Sequence, residues 1–521
     1  MSGNSTVRSR LTACWRTSCA LAWNLLFLLL PFTSFPLLSR LMGYPTVSPA
    51  SLIPLAWLAL WLVSFLCKNG PIPRESIPLF FFCSVALVAS AYAAFLPVPS
   101  FKGQPSLGEE ITVLVTLAIG VMFYLVTAAW LFQSSEQFSE RLTGTLRLLS
   151  ISGVIIVLWA GIQAIYIFLF RGHFPASLLV FHRFFSIRDF SSTRLTAFAY
   201  EPSWLAHQLN VLYLPFWLAA TLQGWSAFRY RLWRLSIENL LLGLGGIIVL
   251  LSSRIGALSF LFVMLFVVMY YSLRLIYKLR RLILSHMTIH SPPLQRFVFV
   301  FLGVALLIAL LMLYAMATLA VLYGASRFDP RLERLFRLHL WLTQQRTLPS
   351  IYRVFNILAF AERYVYWVAG WRIFSLHPIL GVGLGNAGFF FHSELPAYGW
   401  NLPEVMDYYY RAAYLPNIKN FWIRLLAETG IVGFASFLAW YTVMWASARF
   451  LRLQAEPLYR VVGWAGLFTL VAFITEGFSI DTFALPYLWV ALGIVSASAA
   501  MARGAQNFPK TGSGVVECTR S

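Results

Sequence analysis

Residues 297–324 read FVFVFLGVALLIALLMLYAMATLAVLYG, a stretch that contains no charged side chain. A transmembrane helix needs about 20 predominantly apolar residues, so this stretch is long enough to cross a bilayer. About twelve segments of the chain meet the same criterion, and we predict that each is a membrane span. They are residues 18–38, 50–67, 77–96, 110–133, 148–170, 203–221, 238–253, 255–277, 297–324, 420–446, 460–479 and 483–502.

The composition agrees with this prediction. Hydrophobic residues make up 59% of the 521 residues, and charged residues only 11%. A soluble domain carries about 25% charged residues and could not hide this much apolar surface, whereas a bilayer accepts helices that satisfy their own backbone hydrogen bonds. We therefore expect an all-α polytopic integral membrane protein. The seventh and eighth spans nearly abut, which predicts a tight hairpin with Arg254 at its tip.

The formal net charge of +20 fits either nucleic-acid binding or the excess of Lys and Arg in cytoplasmic loops. The basic residues fall on alternate loops, and the early loops 39–49 and 97–109 on the other side carry only Arg40 and Lys102. This alternation favours membrane topology over nucleic acid and predicts that both termini are cytoplasmic. The N-terminal arginines suggest a signal peptide, but the apolar run is long and lacks a small-residue cleavage site, so we predict a first span.

Cysteine spacing gives no sign of a metal site. None of the five cysteines has zinc-ligand neighbours, and no disulfide framework is suggested. We expect neither a metal nor a cofactor. The cysteines are Cys14, Cys19, Cys67, Cys83 and Cys518.

Two segments on the predicted outer side, 171–202 and 325–419, carry more arginine than the topology rule requires. One interpretation is that long loops tolerate such charge. The other is a face built for anionic ligands such as phosphate or diphosphate, which the planar guanidinium binds well. Both interpretations stay open at this point.

The longer outer segment is not of low complexity. Helical spacing predicts a basic amphipathic helix over 326–346 at the membrane surface, and further helices over 354–376 and 402–415. We predict four regions along the chain. They are spans one to nine at residues 1–324, the periplasmic loop at 325–419, spans ten to twelve at 420–502 and a cytoplasmic tail at 503–521.

Residues 194–207, RLTAFAYEPSWLAH, come just before the sixth span. Pro202 fits the first turn of a helix and Glu201 suits its positive end, so one interpretation is a plain helix start. The functional interpretation places Arg194 and Glu201 at the outer boundary as a cation and a base.

Residues 252–258, SSRIGAL, place Arg254 between two apolar runs. An arginine at membrane depth is costly, and it indicates function by default. The alternative is that its side chain simply reaches the interface.

Two later segments form the remaining motifs. Residues 363–390, RYVYWVAGWRIFSLHPILGVGLGNAGFF, are glycine-rich but lack the βαβ context of a dinucleotide site, although such a loop can direct backbone N–H groups at an anion. Residues 417–434, NIKNFWIRLLAETGIVGF, enter the tenth span. There Arg424 and Glu428 are spaced to pair on one helix face.

Taken in order, these segments resemble the O-antigen ligase and O-antigen polymerase superfamily of bacterial envelope enzymes. The resemblance covers roughly residues 190–440: an outer arginine, S-R-x-G, a long loop ending in H-P-x-x-G-x-G-x-G-N, and an N…E-x-G-x-x-G helix. It implies a metal-independent glycosyltransferase of the integral-membrane GT-C-like type, with a long periplasmic loop between spans nine and ten. It also implies a polyprenyl-diphosphate-linked glycan as donor, used at the periplasmic face of the inner membrane.

The resemblance assigns roles to particular residues. Arg194 and Arg254 match the outer arginines that contact the donor diphosphate. Further substrate-binding candidates in the later motifs are Arg363, Arg372, His377, Asn386 and Asn420. The family's ligases usually have His-Asn where this chain has Lys419-Asn420, and a lysine with its usual pKa of about 10.4 is a poor base. This departure favours a polymerase over a ligase.

We therefore expect a polymerase that joins one lipid-linked glycan to the terminal sugar of another. Glu201 is the first candidate for the base and Glu428 the second, with Lys419 as a further catalytic candidate. The alternatives are a ligase that transfers glycan to lipid A core, and a transporter for lipid-linked glycan or solute. Expected partners are the polyprenyl-diphosphate-linked oligosaccharide, membrane lipid and, by analogy alone, a chain-length regulator.

Overall fold

The structure is a computed structural model that describes residues 3–43, 47–133, 136–286, 292–327, 333–334, 336–337, 354–356, 360–411 and 415–507. It is 74% helical with almost no sheet, which confirms the predicted all-α class. The strands Arg231–Leu232 (β1) and Leu235–Ser236 (β2) form a small antiparallel hairpin, with Leu232 paired to Leu235.

A π-turn at Leu209–Tyr213 joins the helices Pro202–Gln208 and Leu214–Gln223. In chain order the helices are α1 (Gly3–Leu28), α2 (Pro36–Leu41), α3 (Leu52–Cys67), α4 (Ile77–Ala93), α5 (Ser106–Phe132), α6 (Phe138–Leu169), α7 (Ala176–Arg183), α8 (Pro202–Gln208), α9 (Leu214–Gln223), α10 (Ile237–Leu250), α11 (Arg254–His286), α12 (Pro292–Ser326), α13 (Ala361–Leu376), α14 (Phe391–Glu394), α15 (Pro403–Tyr410), α16 (Phe421–Arg452), α17 (Pro457–Glu476) and α18 (Tyr487–Asn507).

Eight helices in the described part of the chain are long and apolar enough to cross a membrane: α4, α5, α6, α11, α12, α16, α17 and α18. This confirms a multi-pass membrane protein. Helices α3 and α10 are apolar but shorter, and the predicted sixth span is the run formed by α8, the π-turn and α9.

The first predicted span, 18–38, ends earlier than expected. Helix α1 stops at Leu28, because Pro31 cannot continue a helical hydrogen-bond pattern. The chain then turns back, and the N–H of Phe35 donates to the carbonyl of Ser48 at 2.9 Å.

Helices α17 and α18 form the centre of the bundle, since 72% of the apolar 18-residue stretch of each helix is buried. Helix α12 lies at the edge, because no residue of its apolar 18-residue stretch is buried inside the protein. Its apolar surface suits contact with lipid. The spans α5, α9, α11 and α16 pack around the two central helices, and α4 packs against α16.

The described part of the outer segment has its own hydrophobic cluster, which includes Val365, Tyr366, Phe391 and Val405. The helix predicted over 354–376 is observed as α13, which ends just before His377 and Pro378. The helix predicted over 402–415 is the shorter α15. Most of the helix predicted over 326–346 lies outside the described residues.

Candidate functional site

Helix α16 is broken near its start by Gly430, which adopts φ 62° and ψ −168°. A break leaves backbone groups without their helical partners. The glycine-rich loop supplies new ones: the N–H of Gly383 donates to the carbonyl of Glu428 at 2.9 Å, and the N–H of Ile431 donates to the carbonyl of Pro378 at 2.8 Å. The loop therefore stabilises the break by pairing with the backbone groups on both sides of it.

Glycine is required on both sides of this contact. Gly381 has φ 68°, and a Cβ there would collide with the backbone of Glu428. A Cβ on Gly430 would collide with the carbonyl of Ile379. The H-P-x-x-G-x-G-x-G-N loop and the E-x-G-x-x-G helix are thus two halves of one packing unit, and the N–H groups of Val382 and Gly383 donate to α16.

The side chain of Glu428 lies inside this packing unit and is 3% exposed. Its carboxylate accepts a hydrogen bond from Nε of Arg424 at 3.0 Å and another from the backbone N–H of Gly385. Arg424 also donates to the carbonyl of Asp481. The predicted Arg424–Glu428 pair is confirmed, and Glu428 does not line the cavity that collects the other charged candidates.

That cavity has a volume of about 580 Å³ and lies at the start of α11. Five of the predicted site residues line it, although they come from distant parts of the chain: Arg194, Glu201, Arg254, Arg363 and Lys419. Its other charged lining residues are Arg188, Glu362 and Glu404. In the described part of the chain, no group of three or more His, Cys, Asp or Glu residues is placed to hold a metal ion.

Two hydrogen bonds to backbone carbonyls position the segment of Arg194 beside the start of α11. Nε2 of Gln163, on α6, donates to the carbonyl of Arg194 at 3.1 Å. The N–H of Leu195 donates to the carbonyl of Leu251 at 3.4 Å. Because α10 ends at Leu250 and α11 begins at Arg254, the predicted hairpin with Arg254 at its tip is present, and it meets the Arg194 loop there.

Glu201 is the N-cap of α8 with extended backbone, and Pro202 occupies the first turn, as predicted. Oε1 of Glu201 accepts from Arg188 at 3.3 Å, with the two side chains 42% and 52% exposed. Oε2 accepts from the hydroxyl of Ser203 at 3.1 Å. An exposed ion pair of this kind contributes only about 0–1 kcal/mol, so a substrate hydroxyl can compete for the carboxylate.

Lys419 faces the cavity from a left-handed backbone conformation with φ 53°. Its N–H donates to Oδ2 of Asp481 at 2.9 Å, which anchors the backbone. Its ammonium group pairs with Glu404 and lies 5.3 Å and 5.4 Å from the ring centres of Tyr366 and Tyr408. These contacts fix the position of the ammonium group beside the cavity.

The side chain of Arg363 extends from α13 toward the backbone of Lys419. Its Nη1 donates to the carbonyls of Lys419 and Ser479, both at 3.4 Å. Burial lowers the pKa of Arg363, and the carboxylates of Asp481 and Glu404 offset part of that effect. The side chain therefore places a positive charge where solvent screening is weak.

The structure does not bring the other predicted substrate contacts to the cavity. Arg372 donates to a backbone carbonyl at the surface at 3.2 Å, and His377 follows the end of α13. Asn386 is fully buried and donates to a carbonyl of its own loop at 3.0 Å. Asn420 caps α16 by accepting from two backbone N–H groups. Their contacts with substrate stay predictions.

A buried polar cluster close to Arg254 includes Asn210 and Glu476, which are not part of any of the sequence motifs. Nδ2 of Asn210 donates to Glu476 at 2.6 Å and to the carbonyl of Gly256 at 2.9 Å. Nδ1 of His207 lies 3.5 Å from the same carboxylate, with both side chains at most 2% exposed. The cluster fixes the segment after Glu201 relative to α11. Its signal in the sequence was an acidic residue inside an apolar span.

Comparison with known proteins agrees with the resemblance that the motifs carry. Residues 239–438 match the model of a family described as O-antigen ligase. The match supports the O-antigen ligase and polymerase superfamily, and it spans the Arg254 hairpin, the outer segment and the break in α16. No curated protein matches the chain.

Proposed function

We propose that this chain, similar to the O-antigen ligase family over residues 239–438, is a polysaccharide polymerase of a bacterial inner membrane. It transfers glycan from a polyprenyl-diphosphate-linked donor to the terminal sugar of another lipid-linked chain, at the periplasmic face. The observation that carries the proposal is the convergence of Arg194, Arg254, Arg363 and Lys419 on one cavity.

The charge of this cavity suits a diphosphate. Five cations and three carboxylates line it, which leaves an excess of two positive charges. The carboxylates of Glu201 and Glu404 each pair with one of these cations. Arg194 and Arg254 are the arginines that the resemblance aligns with the donor diphosphate, and they lie together at the tip of the α10–α11 hairpin.

The proposed reaction is a single displacement. The acceptor hydroxyl attacks the anomeric carbon of the donor glycan, and the bond from that carbon to the diphosphate oxygen breaks. Glu201 accepts the hydroxyl proton, as a positioned carboxylate can. The electron pair leaves with the polyprenyl diphosphate, whose developing charge Arg254 and Arg194 stabilise. A diphosphate leaves without being protonated, so the scheme contains no general acid.

A ligase that transfers glycan to lipid A core is the second candidate, because the matched family is described as O-antigen ligase. The environment of Lys419 argues against it. The family's ligases usually have a histidine at this position, whereas here a lysine pairs with Glu404 and packs against two tyrosine rings.

A transporter is the rival from another class. Transporters place ionisable residues near the membrane midplane, in interrupted helices. Here the charged side chains of the cavity lie at helix starts and in loops: Glu201 caps α8, Arg254 begins α11 and Lys419 precedes α16. This placement favours chemistry at the boundary.

The test is to reconstitute the full chain in liposomes with lipid-linked oligosaccharide, with and without lipid A core, and to size the glycan products. Longer lipid-linked glycans without lipid A core support the polymerase. Glycan found only on lipid A core replaces that proposal with the ligase. Glycan of unchanged length that has moved across the bilayer replaces it with transport.

A further inference from the structure

We infer that a second cavity, at the opposite end of the helix bundle, binds the phosphate headgroup of a lipid. This headgroup cavity has a volume of about 1230 Å³ and lies between α1, α3, α5 and α6. It is larger than the cavity that holds Arg254, and the proposed transferase chemistry makes no use of it.

Helix α6 shows that the two cavities are separate. Thr143, near the start of α6, lines the headgroup cavity. Ile167, near its end, lines a small pocket together with Arg194 and Arg254. At 1.5 Å per residue these two positions are about 36 Å apart, which is about the thickness of a membrane.

Among the described residues, the headgroup cavity carries more positive than negative charge. Arg16, Lys68, Arg141 and Arg147 line it, against the single carboxylate of Glu140. None of these five side chains belongs to an ion pair among the described residues. Nη1 of Arg141 is buried without a hydrogen-bond partner, although a buried unsatisfied donor is costly. A bound phosphate would supply the missing acceptor.

Four tryptophans favour a lipid as the ligand. Trp15, Trp23, Trp61 and Trp130 also line the cavity. Trp23 stacks on Trp130 at 5.4 Å, and Trp61 meets the same ring edge-on at 4.9 Å. Indole rings are suited to the boundary between acyl chains and headgroups. An inorganic anion would use the cations alone, whereas an anionic lipid uses both.

The positive-inside rule accounts for cations at this end of the bundle. It does not account for their convergence with four indole rings on one cavity. Exposed cations elsewhere at the same end, such as Lys278 and Arg449, do not line it and provide matched controls.

The test is native mass spectrometry of the full chain, purified in detergent with phosphatidylglycerol or phosphatidylcholine. We expect the wild-type protein to retain one phosphatidylglycerol more than a Lys68→Gln/Arg141→Gln variant. The affinity of the variant for this lipid should be at least about tenfold lower than that of the wild type. A Lys278→Gln/Arg449→Gln variant, with the same loss of charge, should bind as the wild type does. Since Arg141 is partly buried, Lys68→Gln alone provides a variant that keeps the fold, and it should show the same direction.

Equal retention in the wild type, Lys68→Gln and the double variant would overturn the inference, as would equal retention of phosphatidylcholine. Inorganic phosphate is added as a competitor. If phosphate fails to displace the lipid, the result supports a lipid site. Displacement by phosphate at a concentration equal to that of the lipid would overturn the lipid site and indicate a site for a free anion. The readout is independent of glycan transfer, so its failure is distinct from a failure of the proposed polymerase.

Discussion

The backbone of Gly430 packs directly against the carbonyl group of Ile379, and this contact joins the break in α16 to the glycine-rich loop. The loop in turn forms hydrogen bonds with the backbone groups on both sides of the break. The segment that carries Lys419 leads into this broken helix, whose N-cap is Asn420.

We predict that Gly430→Ala destabilises the protein by roughly 1–3 kcal/mol, because alanine is strained at φ 62° and its Cβ meets Ile379. The measurement is the apparent Tm in detergent. Gly161→Ala is the matched control, since Gly161 lies within α6 with nothing near its Cβ position. An unchanged Tm in Gly430→Ala would show that the break does not need glycine.

We predict that Glu201→Gln lowers the rate of glycan transfer about 10²–10⁴-fold, since it removes the proposed base. Binding of the lipid-linked donor should change little, because the arginines remain. The measurement is single-turnover transfer together with donor binding. Glu136→Gln, at an exposed position, should transfer normally. If Glu201→Gln keeps the wild-type rate and Glu404→Gln loses it, the base has been assigned to the wrong carboxylate.

We predict that Lys419→His adds transfer to lipid A core. Histidine has an unperturbed pKa of about 6.5, so it can accept a proton at neutral pH where lysine cannot. The change also frees Glu404 from its pairing with Lys419. The measurement is glycan on lipid A core in the reconstituted assay, with Lys102→His as control. Retained polymerisation without any new ligation would show that this position does not set the acceptor chemistry.

We predict that acid destabilises the outer segment through His182. Its Nδ1 accepts from Trp159 and its Nε2 donates to the carbonyl of Arg188 at 3.0 Å, and burial lowers its pKa to about 4. The unfolded chain therefore takes up the proton first as the pH falls below about 6.5, so stability decreases by about 2 kcal/mol between pH 7 and pH 5.

The measurement for His182 is the apparent Tm at pH 7 and pH 5. His182→Gln should lose most of the difference between the two values, because glutamine does not titrate. His173→Gln, at an exposed position, should keep it. The same pH dependence in the wild type and His182→Gln would assign the effect to another group.

The membrane fold was predictable because it depends on segment length and apolar composition alone. The hairpin at Arg254 and the start of α8 at Glu201 were also predictable, since both depend on local sequence. The early end of α1 was missed because the apolar run continues past Leu28, although Pro31 lies close behind it. Pro31 was therefore the sequence signal for the early end of α1.

The site was only partly predictable, because motif residues serve two different purposes. Arg194 and Arg254 line the cavity, whereas Asn386, Asn420 and Glu428 hold the loop and the broken helix together. A sequence motif does not separate these purposes, since both need fixed residues at fixed spacing. The pairing of Lys419 with Glu404 depends on a tertiary contact that no local pattern encodes.

The most direct test of the account concerns Arg194 and Arg254. In the reconstituted assay, Arg194→Ala and Arg254→Ala should each lower polymerisation by about 100-fold or more, since each removes a charge that stabilises the leaving diphosphate. Arg449→Ala, which removes an exposed arginine at the other end of the bundle, should polymerise normally. Wild-type rates in both Arg194→Ala and Arg254→Ala, with normal membrane insertion, would contradict the placement of the reaction in this cavity.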